Sequence, residues 1–276
     1  MEYRYGADPA RVRQMNNQEL RDSFVFSGLF RPGALKLGHS EIDRAIVGGA
    51  VPLKDGIDLP VVKEIAAGFF CERREIGVVN IGGEGSIGVD GAGFEMENRD
   101  SLYIGRGSRD IRFFSKDPSN PAKFYLVSYP AHAAYPCKRV RRDEANILHL
   151  GSQERCNVRT IFQSIRPGIV ETCQVVLGFT QLATGSIWNT MPPHTHRRRS
   201  EIYMYFDLPE AERVFHIMGE PGEIRTIVMA DGEAVASPSW SMHCGAGTSA
   251  YTFVWSMGGE NQEFDDMDAV KLEALG

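Results

Sequence analysis

The sequence predicts an all-β protein of two tandem barrels with a short N-terminal helix. Three observations point there. Short apolar and β-branched runs recur at intervals of about ten residues, as in sandwiches and barrels. The 29 glycines and 14 prolines that interrupt them suit a turn-rich β chain. Stretches in the first half of the chain also resemble stretches in the second.

Residues 8–23 read as the helix. Asp8 can cap it, Pro9 stands at its first position, and Val12, Met15 and Leu20 are roughly helix-spaced, leaving Arg11 and Arg13 on a solvated face. From Phe24 onward the pattern is that of strands, expected over 45–51, 77–81, 101–104, 111–114, 124–127, 174–182, 202–206, 214–217, 227–229 and 252–255. One further helical turn is expected within 60–67. The stretch near 140–160 contains K-R-V-R-R-D-E-A-N, is charged and poor in strand formers, and separates an N-terminal unit (1–150) from a C-terminal one (151–276).

The internal similarity is uneven. E-R-R-E-I-G-V-V-N-I at 72–81 matches R-R-S-E-I-Y-M-Y-F at 198–206, which sets Glu75 opposite Glu201. Residues 99–114 fall opposite the stretch that runs from Asp231 to the S-A-Y-T-F-V-W ending at Trp255. Gly68, Phe70 and Asp110 stand in the first unit where the second has histidines. The first unit is therefore expected to hold no metal and to serve packing and assembly, with Glu75 ion-paired to Arg73 or Arg74.

Bulk properties narrow the classes. A chain of 276 residues, 42% hydrophobic and 24% charged, can bury real cores. A net charge of −6 gives no pull toward nucleic acid or anionic membrane. No apolar run approaches the roughly 20 residues that cross a bilayer, and Met-Glu-Tyr-Arg-Tyr-Gly lacks the apolar core of a signal peptide, so a cytoplasmic location is expected. The five cysteines are scattered with no C-x-x-C, which fits neither a disulfide framework nor a zinc knuckle. Cys244, next to His243 on a strand, should point away from that histidine's side and act as a small buried residue.

The chemistry concentrates in H-T-H-R-R-R-S-E at 194–201 and P-S-W-S-M-H at 238–243. On a strand, His194 and His196 share a face. With Glu201 and His243 they make a set of three nitrogens and one carboxylate, which zinc, iron, manganese and nickel all accept and which suits an open catalytic site. Gly232, Pro238 and His243 follow the second signature of the cupin barrels, with Trp240 where that signature usually has glycine; His194, His196 and Glu201 follow the first.

A more specific resemblance covers nearly the whole chain. I-D-R-A-I-V-G-G, E-R-R-E-I-G-V-V-N-I-G-G, N-P-A-K-F-Y, W-N-T-M-P-P-H-T-H-R-R-R-S-E-I-Y, S-P-S-W-S-M-H and G-E-N-Q-E-F-D-D-M-D are similar to stretches of the 5-keto-4-deoxyuronate isomerases. The resemblance implies a two-barrel cupin subunit, one Zn²⁺ held by His194, His196, Glu201 and His243, and a homohexamer. It also implies conversion of 5-keto-4-deoxyuronate to 3-deoxy-D-glycero-2,5-hexodiulosonate in pectin and uronate breakdown.

Such an isomerisation moves a proton between neighbouring carbons. Strand alternation turns Tyr203 and Tyr205 to the face of Glu201, with Ile202, Met204 and Phe206 outward, so Glu201, Tyr203 and Tyr205 are the catalytic candidates. Glu260, Asp265 and Asp266 are further candidates for the base if the tail folds over a barrel mouth. The substrate's carboxylate calls for a guanidinium or ammonium. The odd step from His196 to Glu201 requires a bend, which would bring an arginine of the Arg197–Arg199 run to the mouth. Arg198, Lys123 and Trp240 are the expected substrate contacts, and Trp188 and Trp255 are other candidates for the pocket lining. Two other readings use the same ligands: a metal-dependent cupin dioxygenase, and a non-catalytic sugar-acid-binding cupin.

Overall fold

The computed structural model describes residues 1–276. Up to Val140 the strands are β1 (Glu2–Arg4), β2 (Val25–Phe26), β3 (Leu35–Ser40), β4 (Ile46–Ala50), β5 (Ile57–Asp58), β6 (Arg74–Asn80), β7 (Gly85–Val89), β8 (Ala92–Met96), β9 (Ser101–Ile104), β10 (Ile111–Ser115), β11 (Phe124–Pro130) and β12 (Lys138–Val140). Beyond it come β13 (Asn146–Leu150), β14 (Arg159–Ile165), β15 (Val176–Leu182), β16 (Trp188–Thr195), β17 (Arg199–Phe206), β18 (Val214–Glu220), β19 (Glu223–Met229), β20 (Ala234–Ser237), β21 (Met242–Gly247), β22 (Thr252–Gly259) and β23 (Asp268–Ala269).

They form four sheets in two pairs. The first pair has the orders β1-β3-β4-β11-β6-β9-β12 and β5-β10-β7-β8; the second has β13-β14-β15-β22-β17-β20-β2 and β19-β18-β21-β16-β23. The predominance of strand is the fold class the sequence predicts. Several strands lay outside the expected set because their composition hides them. β16 carries Pro192 and Pro193, and β21 is half glycine and alanine.

Strand alternation sorts the apolar residues into three cores. On β11, Phe124 and Leu126 face the interior of the first pair, while Tyr125, Val127 and Tyr129 face the second. On β17, Ile202, Met204 and Phe206 face the first pair, while Tyr203 and Tyr205 face their own interior. The outward residues of β17 are thus not solvated. The largest cluster lies between the two seven-stranded sheets, and each of its fully buried aliphatic side chains contributes about 1.5–3 kcal/mol. The approach is close enough that a Cβ on Gly258 would overlap the ring of Tyr129.

The expected N-terminal helix is two: α1 (Pro9–Val12) and α2 (Asn17–Phe24). Asp8 caps the first, and Asn16 and Glu19 restart the second with a capping box. These helices pack on the second pair of sheets rather than the first: Val12, Met15, Leu20 and Phe24 join its core, and β2 pairs with β20. The turn expected within 60–67 is a single 3₁₀ turn, Lys63–Ile65.

Glu75 departs from its expected role. Ile76 and Val78 face the first core, so Glu75 faces the other way, toward the second half of the chain. It is fully buried and accepts hydrogen bonds from the backbone N–H groups of Cys173 (2.8 Å), Gln174 (2.7 Å) and Val175 (2.9 Å) and from the Tyr103 hydroxyl (2.9 Å). It pairs with neither arginine. Arg74 instead donates to Ser128 Oγ, Ser128 O and Arg44 O. Similar local sequence set Glu75 opposite Glu201, but one glutamate joins the halves and the other faces the interior of the second pair of sheets.

Candidate metal centre

The two sheets of the second pair meet at four side chains. His194 and His243 are direct cross-strand partners on β16 and β21. His196 follows β16 immediately, and Glu201 lies on β17 of the facing sheet. The bend required by the odd spacing is a closed turn: Arg199 N donates to His196 O at 3.0 Å, and the His196 ring returns to Arg199 O. That turn aims both His196 and Glu201 inward. All four residues are buried, and one ligand atom from each lies within 4.8 Å of the others.

The geometry suits one central cation. Nδ1 of His196, His243 and His194 lies 3.0, 3.3 and 3.4 Å from the carbonyls of Arg199, Ser241 and Pro192. Carbonyls only accept, so each Nδ1 carries the hydrogen, and in the neutral ring Nε2 is left with the lone pair that binds a metal. Those three Nε2 atoms stand 3.1, 2.6 and 4.0 Å from Glu201 Oε2 for His196, His243 and His194 respectively. The distances bracket the ~3.3 Å separation of donors bound tetrahedrally at about 2.0–2.1 Å. A buried His₃Glu group of this kind could hold a metal ion.

Electrostatics keep His194 neutral and Glu201 ionised, and draw positive charge toward the place between His196 and Glu201 that a cation would take. Burial, with His243 adding to it, pushes His194 down to about 3, so it is neutral. For His196 burial acts downward, but the hydrogen bond and charge of Glu201 outweigh it and raise the ring. Burial alone would raise Glu201; His243 and His196 overcome it and hold the carboxyl well below its usual range, ionised.

The cluster opens onto a cavity of about 430 Å³. His194, Glu201 and Tyr203 line it, with Trp255, Phe253 and Met257 of β22. The tail residues Phe264, Asp265, Met267 and Ala269 form another wall, with Ala269 opposite His194 through the β16–β23 pair. The Tyr203 hydroxyl lies 2.7 Å from Thr190 Oγ1. Burial and then the charge of Glu201 raise Tyr203 far above the ordinary phenol range, so it stays protonated.

Other expected contacts lie elsewhere. Tyr205 is buried behind the cavity, its hydroxyl 2.8 Å from His216 Nδ1. Arg198 is turned outward and its Nε makes two 2.9 Å bonds to Asp266, which removes both from the cavity. Lys123 lies on a surface depression of the first half with Gly82 and Asn120. Trp240 is half-buried against the second core, and neither it nor Trp188 lines the cavity. Glu260 sits with Arg197 and Arg198 on the outer face. Cys244 is buried, and burial pushes its thiol up to about 12.

Sequence reasoning missed Arg159 and Asn189, which also line the cavity. Arg159 carried a signal: in R-T-I-F-Q-S-I it shares the inward parity of Ile161, an unusual place for a guanidinium.

Comparison with known proteins matches this architecture. The chain is 50% identical over 275 residues to the 4-deoxy-L-threo-5-hexosulose-uronate ketol-isomerase of Lachnoclostridium phytofermentans, covering 100% of both chains. It is 48% identical over 274 residues to the Formosa agariphila protein of the same name, covering 99% of this chain and 98% of that one. In fold it is similar to an IolB-like protein from Salmonella typhimurium, with a TM-score of 0.73, 12% identity and coverage of 90% and 96%. It is also similar to Bacillus subtilis oxalate decarboxylase, with a TM-score of 0.61, 11% identity and coverage of 90% and 79%. The model of the KduI/IolB family matches residues 57–274, and the chain belongs to that family.

Proposed function

We propose that the protein is a zinc-dependent ketol-isomerase that converts 4-deoxy-L-threo-5-hexosulose uronate to 3-deoxy-D-glycero-2,5-hexodiulosonate in the breakdown of pectin and related uronates. The observation that carries this reading is the full-length similarity to relatives of that name, in a chain whose four-residue cluster borders, through His194 and Glu201, a cavity fit for a small sugar acid.

The reaction moves one proton from C2 to C1 and one hydroxyl hydrogen from O2 to O1; the aldehyde becomes an alcohol and C2 a ketone. His194, His196, Glu201 and His243 would hold Zn²⁺, which when bound stabilises negative charge developing on the two vicinal oxygens. Glu201 is committed to its histidine neighbours. Asp265 is the other carboxylate lining the cavity and is the better base for the C2 proton. Tyr203 keeps its proton and, by turning its hydroxyl from Thr190 Oγ1, would donate to a substrate oxygen. Tyr205 acts one step back, packed against Tyr203 and bonded to His216. Trp255 and Phe264 exclude water from the enediolate.

A cytoplasmic homohexamer fits this reading. Phe215 and Val228, paired across β18 and β19 and both exposed, offer an apolar surface for assembly. The first half is structural, walling β17 and β22.

The test is a proton NMR time course with fresh keto-deoxyuronate in deuterated water. Formation of the 2,5-diketo acid with deuterium at the receiving carbon supports the reading. No conversion by zinc-loaded protein overturns it, and oxygen consumption in its place would favour a dioxygenase.

A further inference from the structure

Two residues that line the cavity carry buried hydrogen-bond donors that the chain itself leaves unused. Arg159 enters from the start of β14. Its Nη1 donates to Asn157 O at 3.0 Å and its Nη2 to Met191 O at 3.2 Å, so two carbonyls fix the guanidinium. Its Nε is buried without a partner, and each Nη retains a second hydrogen. Asn189 lies two residues before Met191 on β16. Its Oδ1 accepts from Thr190 Oγ1 at 3.1 Å, and its buried Nδ2 has no partner. Both side chains are more than nine-tenths buried, at 8% and 4% exposure. Arg159 is the one cationic side chain lining this cavity, His194 being neutral. Buried N–H groups without acceptors are costly and therefore rare, and here two belong to residues that line one space, where the second Nη hydrogens of Arg159 are also free.

We infer that Arg159 and Asn189 form the subsite for the substrate's C6 carboxylate. The assignment rests on the keto-uronate reading for the substrate's identity, but its chemistry is general: two fixed donors, one charged, call for an anionic acceptor. The uronate's carboxylate sits at the opposite end of the chain from the C1–C2 pair that reacts. Gripping it there would seat the reacting end by the four metal-binding residues, Tyr203 and Asp265. Arg159 is thus a binding and specificity residue, distinct from the exposed Arg198.

Arg159→Met, checked for zinc content and melting temperature, is compared with wild type on the keto-deoxyuronate and on its neutral C6 amide. The expected result is a KM for the acid raised on the order of 100-fold, kcat changed by only a few-fold, and little change with the amide. Equal losses on acid and amide would mean that Arg159 only braces Asn157 and Met191, and would overturn the assignment, as would an unchanged KM. Should that variant fail to fold, Asn189→Asp sets a repelling carboxylate in the subsite and should again penalise the acid but not the amide; equal effects on both overturn the assignment. Calorimetry of zinc-loaded protein with gluconate and sorbitol separates this inference from the proposed function. Selective binding of gluconate, lost in Arg159→Met, supports the anion subsite even if wild type fails to isomerise the keto-deoxyuronate. Gluconate and sorbitol bound alike by wild type overturn it.

Discussion

Nδ1 of His196 lies 3.0 Å from the carbonyl oxygen of Arg199, three residues further along. This contact closes the turn between β16 and β17, fixes the hydrogen on Nδ1, and leaves Nε2 facing the carboxylate of Glu201. The backbone between the two ligands thus does part of the work of building the site.

Metal removal should therefore abolish activity and loosen the second half of the chain. Chelation is expected to remove essentially all turnover and to lower the melting temperature, with both restored by Zn²⁺. His243→Ala should fail to recover even when loaded with excess metal. Activity that survives complete demetallation, verified by elemental analysis, would rule out a catalytic ion here.

The four candidate ligands were legible because their types and spacing state their chemistry without tertiary information, and strand parity alone turned Tyr203 inward. The remaining lining was not legible. Asp265 and Phe264 reach the cavity only because the tail folds across it, and Arg159 only because β14 borders β15 in the same sheet. Arg198 read as a substrate contact until its partner came from 68 residues away. Glu75 shared local sequence with Glu201, but a shift of strand parity between the halves gave it the opposite face.

Asp265→Asn should separate the base from the ligand set. The substitution preserves shape and removes basicity, so kcat is expected to fall about 10²–10⁴-fold with zinc content unchanged. Deuterium exchange into substrate at C2 should fall in parallel. A variant that keeps wild-type exchange would return the role to Tyr203 or Glu201.

The N-terminal strand should respond to mild acid. His39 stacks on Tyr3 with ring centroids 4.6 Å apart, across the β1–β3 pair. Burial, aided by Arg74 and Arg44, holds this ring below the usual imidazole value. A group depressed in the folded state adds stability above its unfolded pKa of about 6.5 and loses it as pH falls below that. Amide exchange in residues 2–4 should therefore quicken as pH drops from 7 toward 5, after correction for intrinsic rates. His39→Phe keeps the stack and should flatten that response; an unchanged pH dependence would acquit His39.

Glu75 should matter for folding and little for chemistry. It is fully buried, and three successive backbone N–H groups at 173–175 plus the Tyr103 hydroxyl depend on it. Those donors lie just before β15, whose partner β22 lines the cavity, so the carboxylate ties the first half to the second at a point one sheet neighbour from the site. Replacing it with alanine strands several buried donors and should cost roughly 2–4 kcal/mol. Glu75→Gln keeps shape but turns an amide N–H₂ against backbone N–H groups, so it should recover only part of that loss. Chemical denaturation of both variants measures the cost, and zinc content and kcat of the folded fraction should remain near wild type. If kcat falls in step with stability at temperatures where the protein is fully folded, Glu75 is coupled to the metal site and not merely to the joint between the halves.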